Sequence, residues 1–576
     1  LITFFSIVSI LVVMRMKKTS VISGKELTLK WKIKVPRAGA FGWARVELLG
    51  DINLDGFSEI LWVASLDALE ETSLVEIIDG RTGKKIMEQI YDYPLYYGQA
   101  NIGDVDGDGE NEIVWGFKDY LLVSDTQDLS KYTIISIRPY GDIYFEQFLL
   151  YDVNNDGALD ALVRVGKQND GYYHNMAFDI KNNRVLWATL YQEKYVEYYW
   201  RDYNVLLMIH ANGLLDDVNG DNVLDFITIS DALVICATDI TTGKITFNIS
   251  LLDLFPFCDK FNITPPDQIK GSMGFPIRVY MVSGDFDSDS ISEIILTYPR
   301  RLLPKEEAPP SYYKGIVLCI DNGSITWNVS INDYYNGPWG AAIADFGYDF
   351  DYDFAMYLDG QLNRLLVFDP ISGNVEFNDS FKWYGEDLAT IDFNGDNYID
   401  FFAPPFVFDG HGKIIANLSD LLEDIADEIF FFDADGDKKL EMLARNATHL
   451  SCFDIPNAGW RIFWDRLGRI VGFINGGCSN SLWFVDGDGD FLSYYSEGIV
   501  GSNPSTWDSD GDGLSDGFEV LHGLNPVSWD GDFDFISDSL DPVPLNPLVP
   551  TYGLIIVLVV SYLLYRWRLK FSNKRR

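Results

Sequence analysis

An acidic decapeptide recurs along this 576-residue chain, and its recurrence limits the possible folds more than any other feature. The clearest copy is DVDGDGENEI, beginning at Asp104. It sets Asp104, Asp106 and Asp108 at alternate positions, then Gly109 and Glu112, and runs into an apolar segment. Related copies start at Asp51 (DINLDGFSEI), Asp152 (DVNNDGALDA), Asp217 (DVNGDNVLDF), Asp285 (DFDSDSISEI), Asp345 (DFGYDFDYDF), Asp392 (DFNGDNYIDF) and Asp433 (DADGDKKLEM). A ninth and weaker copy, DGDGDFLSYY, starts at Asp486. Successive starts lie 41 to 68 residues apart, the size of one small supersecondary unit, so the chain reads as a repeat protein.

A second element alternates with the first. After each of the first eight motifs comes an apolar strand ending in Asp, a turn that often carries Gly, and another strand, as in IIDGRTGKKI (77–86), FDPISGNVEF (368–377) and FDIPNAGWRIFW (453–464). Gly accepts positive φ at a tight turn, and the β-branched and aromatic flanks favour strands. Each unit is therefore strand, acidic loop, strand, strand, tight turn, strand. Repeated four-stranded antiparallel units predict an all-β fold, a β-propeller, whose radial closure removes sheet edges that would otherwise invite aggregation. GKELTLKWKIKV (24–35) reads as the last strand of a unit that lacks its front half. Eight blades are expected; pairing that strand with the ninth motif would make nine, and seven also stays open.

The carboxylate spacing carries the chemistry. Alternate residues of an extended loop point the same way, so positions 1, 3 and 5 converge, and Gly at position 6 (Gly56, Gly109, Gly157) lets position 9 return. Hard, oxygen-only donors suit Ca²⁺ before Mg²⁺. The predicted ligands are Asp51, Asn53, Asp55 and Glu59; Asp104, Asp106, Asp108 and Glu112; Asp152, Asn154, Asp156 and Asp160; and Asp217, Asn219, Asp221 and Asp225. The later loops supply Asp285, Asp287, Asp289 and Glu293; Asp345, Asp349 and Asp353; Asp392, Asn394, Asp396 and Asp400; and Asp433, Asp435, Asp437 and Glu441. Several Ca²⁺ ions are thus expected. The reading is weaker for the Asp345 copy, where Gly347 takes position 3, and for the Asp486 copy, where Tyr494 takes position 9.

Residues 508–541 differ. DSDGDGLSDGFE places Asp508, Asp510, Asp512, Asp516 and Glu519 at positions 1, 3, 5, 9 and 12, with Gly513 at 6, the pattern of an EF-hand loop. A degenerate copy follows from Asp530, so 501–545 is expected to form a short calcium-stiffened stalk. Beyond it, 548–566 is apolar and precedes a basic tail, 567–576, which predicts a transmembrane helix with a cytoplasmic C-terminus. Residues 1–18 read as a signal peptide or N-terminal hydrophobic segment, and 24–500 as the propeller.

The DxDxDGxxD/E loops resemble FG-GAP repeats, the units of integrin alpha-chain propellers and their prokaryotic relatives, although the Phe-Gly and Gly-Ala-Pro signatures are mostly absent. The segment from Asp508 is similar to thrombospondin type 3 repeats. The resemblance implies calcium ligation at the matched residues and a surface protein that serves in adhesion or ligand binding.

With 86 acidic and 44 basic residues the net charge is −42, which argues against nucleic acid as a partner. The expected partners are the membrane, through the C-terminal helix, and a surface protein or glycan. KYVEYYW (194–200) and INDYYNGPWG (331–340) offer aromatic surface for such binding, or packing between blades. The five His residues fit no triad or zinc spacing, and no GxSxG elbow occurs, so no enzyme is expected. An extracellular polysaccharide-acting enzyme and a purely structural envelope component are the alternatives. Seven N-x-S/T sequons fit an exterior glycoprotein. The cysteines admit the pairs Cys236–Cys258 and Cys452–Cys478, or five buried thiols.

Overall fold

A computed structural model describes residues 21–35 and 44–50, Ile52, most of 57–251, 273–299 and 314–458 apart from short loop segments, Phe473–Ile474, and scattered positions within 502–529. Two compact units divide the chain, the first comprising residues 1–463 and 470–485, the second 464–469 and 486–576.

The first unit is an eight-bladed β-propeller of four-stranded antiparallel sheets. Blade 1 consists of Ala44–Gly50, Glu59–Ser65, Ser73–Asp79 and Lys85–Tyr91, each hydrogen-bonded to the next. Blade 2 (99–136), blade 3 (142–192), blade 4 (214–250), blade 6 (337–381) and blade 7 (388–417) follow the same order. First strands of successive blades pack together, as Met273–Gly284 does with Gly337–Ala344 and the latter with Leu388–Ile391, so they surround the axis.

Sequence explains the strand order within a blade. Second strands such as EILWVAS and EIVWGF are buried along their whole length, as near-continuous apolar runs demand. Fourth strands alternate: ITFNIS in blade 4 is half-buried and exposed in turn, with one face against the neighbouring blade. The core lies between blades. Leu214, Ile227 and Ile235 of blade 4 meet Met281, Leu296 and Leu318 of blade 5, and Phe354 and Phe368 of blade 6 meet Val317 and Cys319 of blade 5.

Aromatic side chains of fourth strands fasten several blades to the next. Trp327 lies against Gly373 and donates Nε1–H to the Pro370 carbonyl at 2.7 Å; Trp187 lies against Gly243, and Phe377 against Gly412. Gly373 holds φ at +70°, so both backbone and ring exclude a side chain there.

Ring closure departs from the simple repeat. The fourth strand of blade 8 is not the second half of FDIPNAGWRIFW. Glu428–Phe432, Glu441–Asn446 and His449–Asp454 are completed by the N-terminal strand Thr28–Lys34, which pairs antiparallel with His449–Asp454. The front-less strand therefore completes the eighth unit rather than a ninth. Its Trp31 donates Nε1–H to the Gly80 carbonyl of blade 1 at 2.7 Å and packs on Gly83, the same clasp by which Trp187 joins blade 3 to blade 4 and Trp327 joins blade 5 to blade 6. Just upstream, Ile22–Ser23 runs parallel to Ile414–Asn417 at the edge of blade 7.

Blade 5 (280–332) carries an addition that the repeat does not announce. The hairpin Tyr198–Trp200 and Tyr203–Ala211 joins it, with Val205 to Ala211 parallel to Met273 to Val279. The aromatic segment ending at Trp200 thus contributes a strand.

Cys236, Cys319 and Cys452 are buried within third strands, and Cys452 is a free thiol that burial holds protonated. Cys258 and Cys478 lie outside the described residues, as do the Asp486 motif and the apolar segments near both ends. Among the described residues no helix is long and apolar enough to cross a membrane.

Candidate metal centres

Each of the eight acidic loops from Asp51 to Asp433 joins the first strand of a blade to the second, and its position-9 carboxylate is the first residue of the second strand. All eight are buried: Glu59, Glu112, Asp160, Asp225, Glu293, Asp353, Asp400 and Glu441. In seven of these loops the position-9 carboxylate accepts the N–H of position 2: Val218 donates to Asp225, and the bond measures 3.0 Å from Ile52 to Glu59, 3.0 Å from Val105 to Glu112 and 3.0 Å from Val153 to Asp160. The same bond runs from Phe286 to Glu293 at 2.8 Å, Phe393 to Asp400 at 3.0 Å and Ala434 to Glu441 at 2.7 Å. The buried acid thus folds the loop back on itself.

Blade 2 shows the arrangement most fully. Oxygens of Asp104, Asp106 and Asp108 all lie within 4.8 Å of one another. Asp104 accepts N–H groups from Gly107 at 2.6 Å and Gly109 at 2.9 Å, and Asp108 accepts from Glu110 at 2.9 Å. Gly107 and Gly109 hold φ at +79° and +88°, a conformation that brings these amides onto one carboxylate. Blades 3 and 4 reproduce it: Asp152 accepts from Asp156 and Gly157, and Asp217 from Asn219, Gly220 and Asp221. Where position 3 is Asn, its amide donates to the position-9 acid, as Asn154 does to Asp160, Asn219 to Asp225 and Asn394 to Asp400.

The electrostatics fit a cation. Burial pushes Glu112 up to about 8; the Val105 N–H opposes this, and the charges of Asp106, Asp104 and Asp108 add to it. Burial likewise pushes Asp160 up to about 7 and Asp225 to about 6. Hard oxygen donors gathered on one point, with a buried carboxylate reluctant to ionise alone, match a divalent ion better than a bare turn.

In five blades a second acid escaped sequence reasoning. The Asp that ends the third strand stands directly across from position 9: Glu59 pairs with Asp79, Glu112 with Asp125, Asp225 with Asp239, Asp400 with Asp409 and Glu441 with Asp454. These residues also cap their turns, as Asp239 does for Thr241 and Thr242. The recurrent Asp was visible in the hairpin motif; its register with position 9 was the signal to use.

Of the remaining predicted ligands, Asp51, Asn53, Asp55, Asp285, Asp287, Asp289, Asp345, Asp349, Asp392, Asp396, Asp433 and Asp437 lie outside the described residues. In the second unit Asp516 is fully buried and accepts Ser509 N–H at 2.7 Å, the same two-to-nine relation. Asp508, Asp512 and Glu519 there are outside the described residues.

Residues 508–528 match the family described as the bacterial TSP3 repeat, a calcium-binding type. No curated protein matches the chain. Solved structures similar to it include BamB from Moraxella catarrhalis, at 12% identity over 74% of this chain and 99% of that one, TM-score 0.38. Saccharomyces cerevisiae Sqt1 is 11% identical over 76% and 99%, TM-score 0.42. The exotype rhamnogalacturonan lyase YesX is 14% identical over 81% and 82%, TM-score 0.47. These likenesses carry no functional argument.

Proposed function

We propose that this protein is a calcium-loaded propeller displayed at the cell surface, anchored by its C-terminal apolar segment, that binds a protein or glycan. The observation that carries the calcium reading is the repeated buried position-9 carboxylate, clamped by the position-2 N–H beside converging oxygens. In blade 2 the ion would be held by Asp104, Asp106, Asp108 and Glu112; in blade 3 by Asp152, Asn154, Asp156 and Asp160; in blade 4 by Asp217, Asn219, Asp221 and Asp225. Calcium supplies the positive charge that these acids lack. The chain's own residues position the loops, exclude water from the position-9 acid and tie neighbouring loops together. Leu159 N–H donates to the Asp104 carbonyl at 2.8 Å, and Ser292 N–H to the Asp217 carbonyl at 2.9 Å.

The TSP3-type segment supports an exterior location, as do the sequons and the resemblance to integrin-type repeats. An ion held 100-fold above its Kd stabilises the fold by about 2.7 kcal/mol, so several ions would make the binding surface depend on extracellular calcium. The test is a thermal melt of the protein across a calcium titration with bound metal counted, followed by glycan and surface-protein arrays with calcium and with EDTA. Several bound ions, a rising Tm and a calcium-dependent ligand are expected. A flat Tm with no bound metal would refute the calcium reading, and array binding that ignores EDTA would refute calcium-dependent recognition.

A further inference from the structure

Fourth strands of the blades share a device that the loops alone do not reveal. In seven blades the pairing of third and fourth strands skips one residue near the hairpin, a bulge at Ile86, Leu186, Thr246, Thr326, Glu376 and Ile415, and at Lys30 in blade 8. A bulge re-aims its side chain. In blade 4 the re-aimed Thr246 hydroxyl donates to Asp225, the position-9 acid of that blade's loop. The bulge position therefore reaches the acidic loop.

Blade 8 places an ammonium there. Lys30 Nζ lies 2.5 Å from Asp435 Oδ2, 3.2 Å from Glu441 Oε1 and 3.1 Å from Asp454 Oδ1. Asp435 and Glu441 are positions 3 and 9 of the eighth loop, and Asp454 is the acid across from Glu441. Glu441 still clamps the loop through Oε2 and the Ala434 N–H. The lysine side chain is 15% exposed, so it is committed to the site rather than to solvent. Burial pulls this ammonium down, and the three carboxylates outweigh it and raise it. The loop also has Lys438 where the first three loops have Gly at position 6.

We propose that the eighth loop carries its own cation: the Lys30 ammonium stands where the other loops take calcium, so the joint that closes the ring holds without metal. This rests on the calcium reading of the other loops. The N-terminal strand thereby brings blade 8 both its missing strand and its missing charge.

The test counts calcium on the full chain, purified in detergent, after equilibrium dialysis, and melts each protein in EDTA and in calcium. Lys30→Met is expected to bind one ion more than wild type, and its loss of Tm in EDTA to be largely recovered in calcium. Lys30→Arg keeps the charge and is expected to keep the wild-type count. Thr246→Lys moves the device to blade 4 and is expected to bind one ion fewer. An unchanged count in both Lys30→Met and Thr246→Lys, with equal Tm losses in the two buffers, makes Lys30 an ordinary ion pair and overturns the proposal. Wild-type protein that binds no ion is the separate failure of the calcium reading, and the proposal falls with it.

Discussion

The Val105 N–H and the Glu112 carboxylate, seven residues apart, meet at 3.0 Å and turn an acidic decapeptide into a closed loop. The bond occupies Oε2, and the charges of Asp106, Asp104 and Asp108 act on the same carboxylate. Glu112→Gln keeps this bond and removes the charge. In EDTA the variant should melt at or above wild type, because buried repulsion is relieved. In calcium it should melt below wild type, having lost up to about 2.7 kcal/mol of linkage at that loop. A variant below wild type in both buffers would show that Glu112 is structural alone.

Stability should also depend on pH, and differently in the two buffers. Glu112, Asp160 and Asp225 are raised in the folded protein to about 8, 7 and 6, while unfolded carboxylates titrate near about 4. The folded state holds these protons more tightly, so their stabilisation is complete below about pH 4 and is lost as pH climbs through about 6 to 8. Metal-free protein should therefore lose Tm between about pH 5 and about pH 8. Calcium competes with the same protons, so the calcium-induced rise in Tm should grow over that window. Melts at three pH values, each with EDTA and with calcium, decide it; a metal-free Tm that climbs with pH contradicts the assignment.

The clasp between the last blade and the first should be the weak point of the ring. Trp31→Ala removes both its packing on Gly83 and its bond to Gly80, and large-to-small changes of this kind cost about 3–5 kcal/mol. Gly83→Val attacks the same contact from the other side: a Cβ there would lie 2.7 Å from Trp31 Cδ2 at φ of +68°. Both should lower the denaturation midpoint, and the double variant should lose less than the sum of the two. Strict additivity would mean that the two residues do not share one contact.

In the second unit, Asp516→Ala should expose the 508–528 segment to proteolysis in calcium as well as in EDTA, whereas wild type should be cut there in EDTA alone. Equal resistance of the two proteins in calcium would remove Asp516 from the metal set.

The blade module was legible because each of its parts is local: alternating acids, a glycine, two strands and a turn lie within one repeat. The position-9 acid was legible for the same reason, and its burial follows from opening an apolar second strand. What stayed hidden depends on distance in sequence. Lys30 meets Glu441 across 411 residues, and nothing near Lys30 marks it as part of an acidic loop. The parallel pairing of Val205–Ala211 with Met273–Val279 has no turn signal, since parallel strands need a long crossover rather than a hairpin. The eighth hairpin was misplaced because FDIPNAGWRIFW has the right local pattern, and the N-terminal strand occupies its place.

Completion of blade 8 by Thr28–Lys34 also sets an order of events during synthesis. This strand is made before blade 1, and its partner His449–Asp454 emerges only after seven blades have been translated. Until then blade 1 has no neighbour on its free side, and the waiting strand offers an unpaired edge to any other chain. Contacts this distant slow folding. A nascent chain stalled before residue 454 therefore holds an open arc rather than a ring.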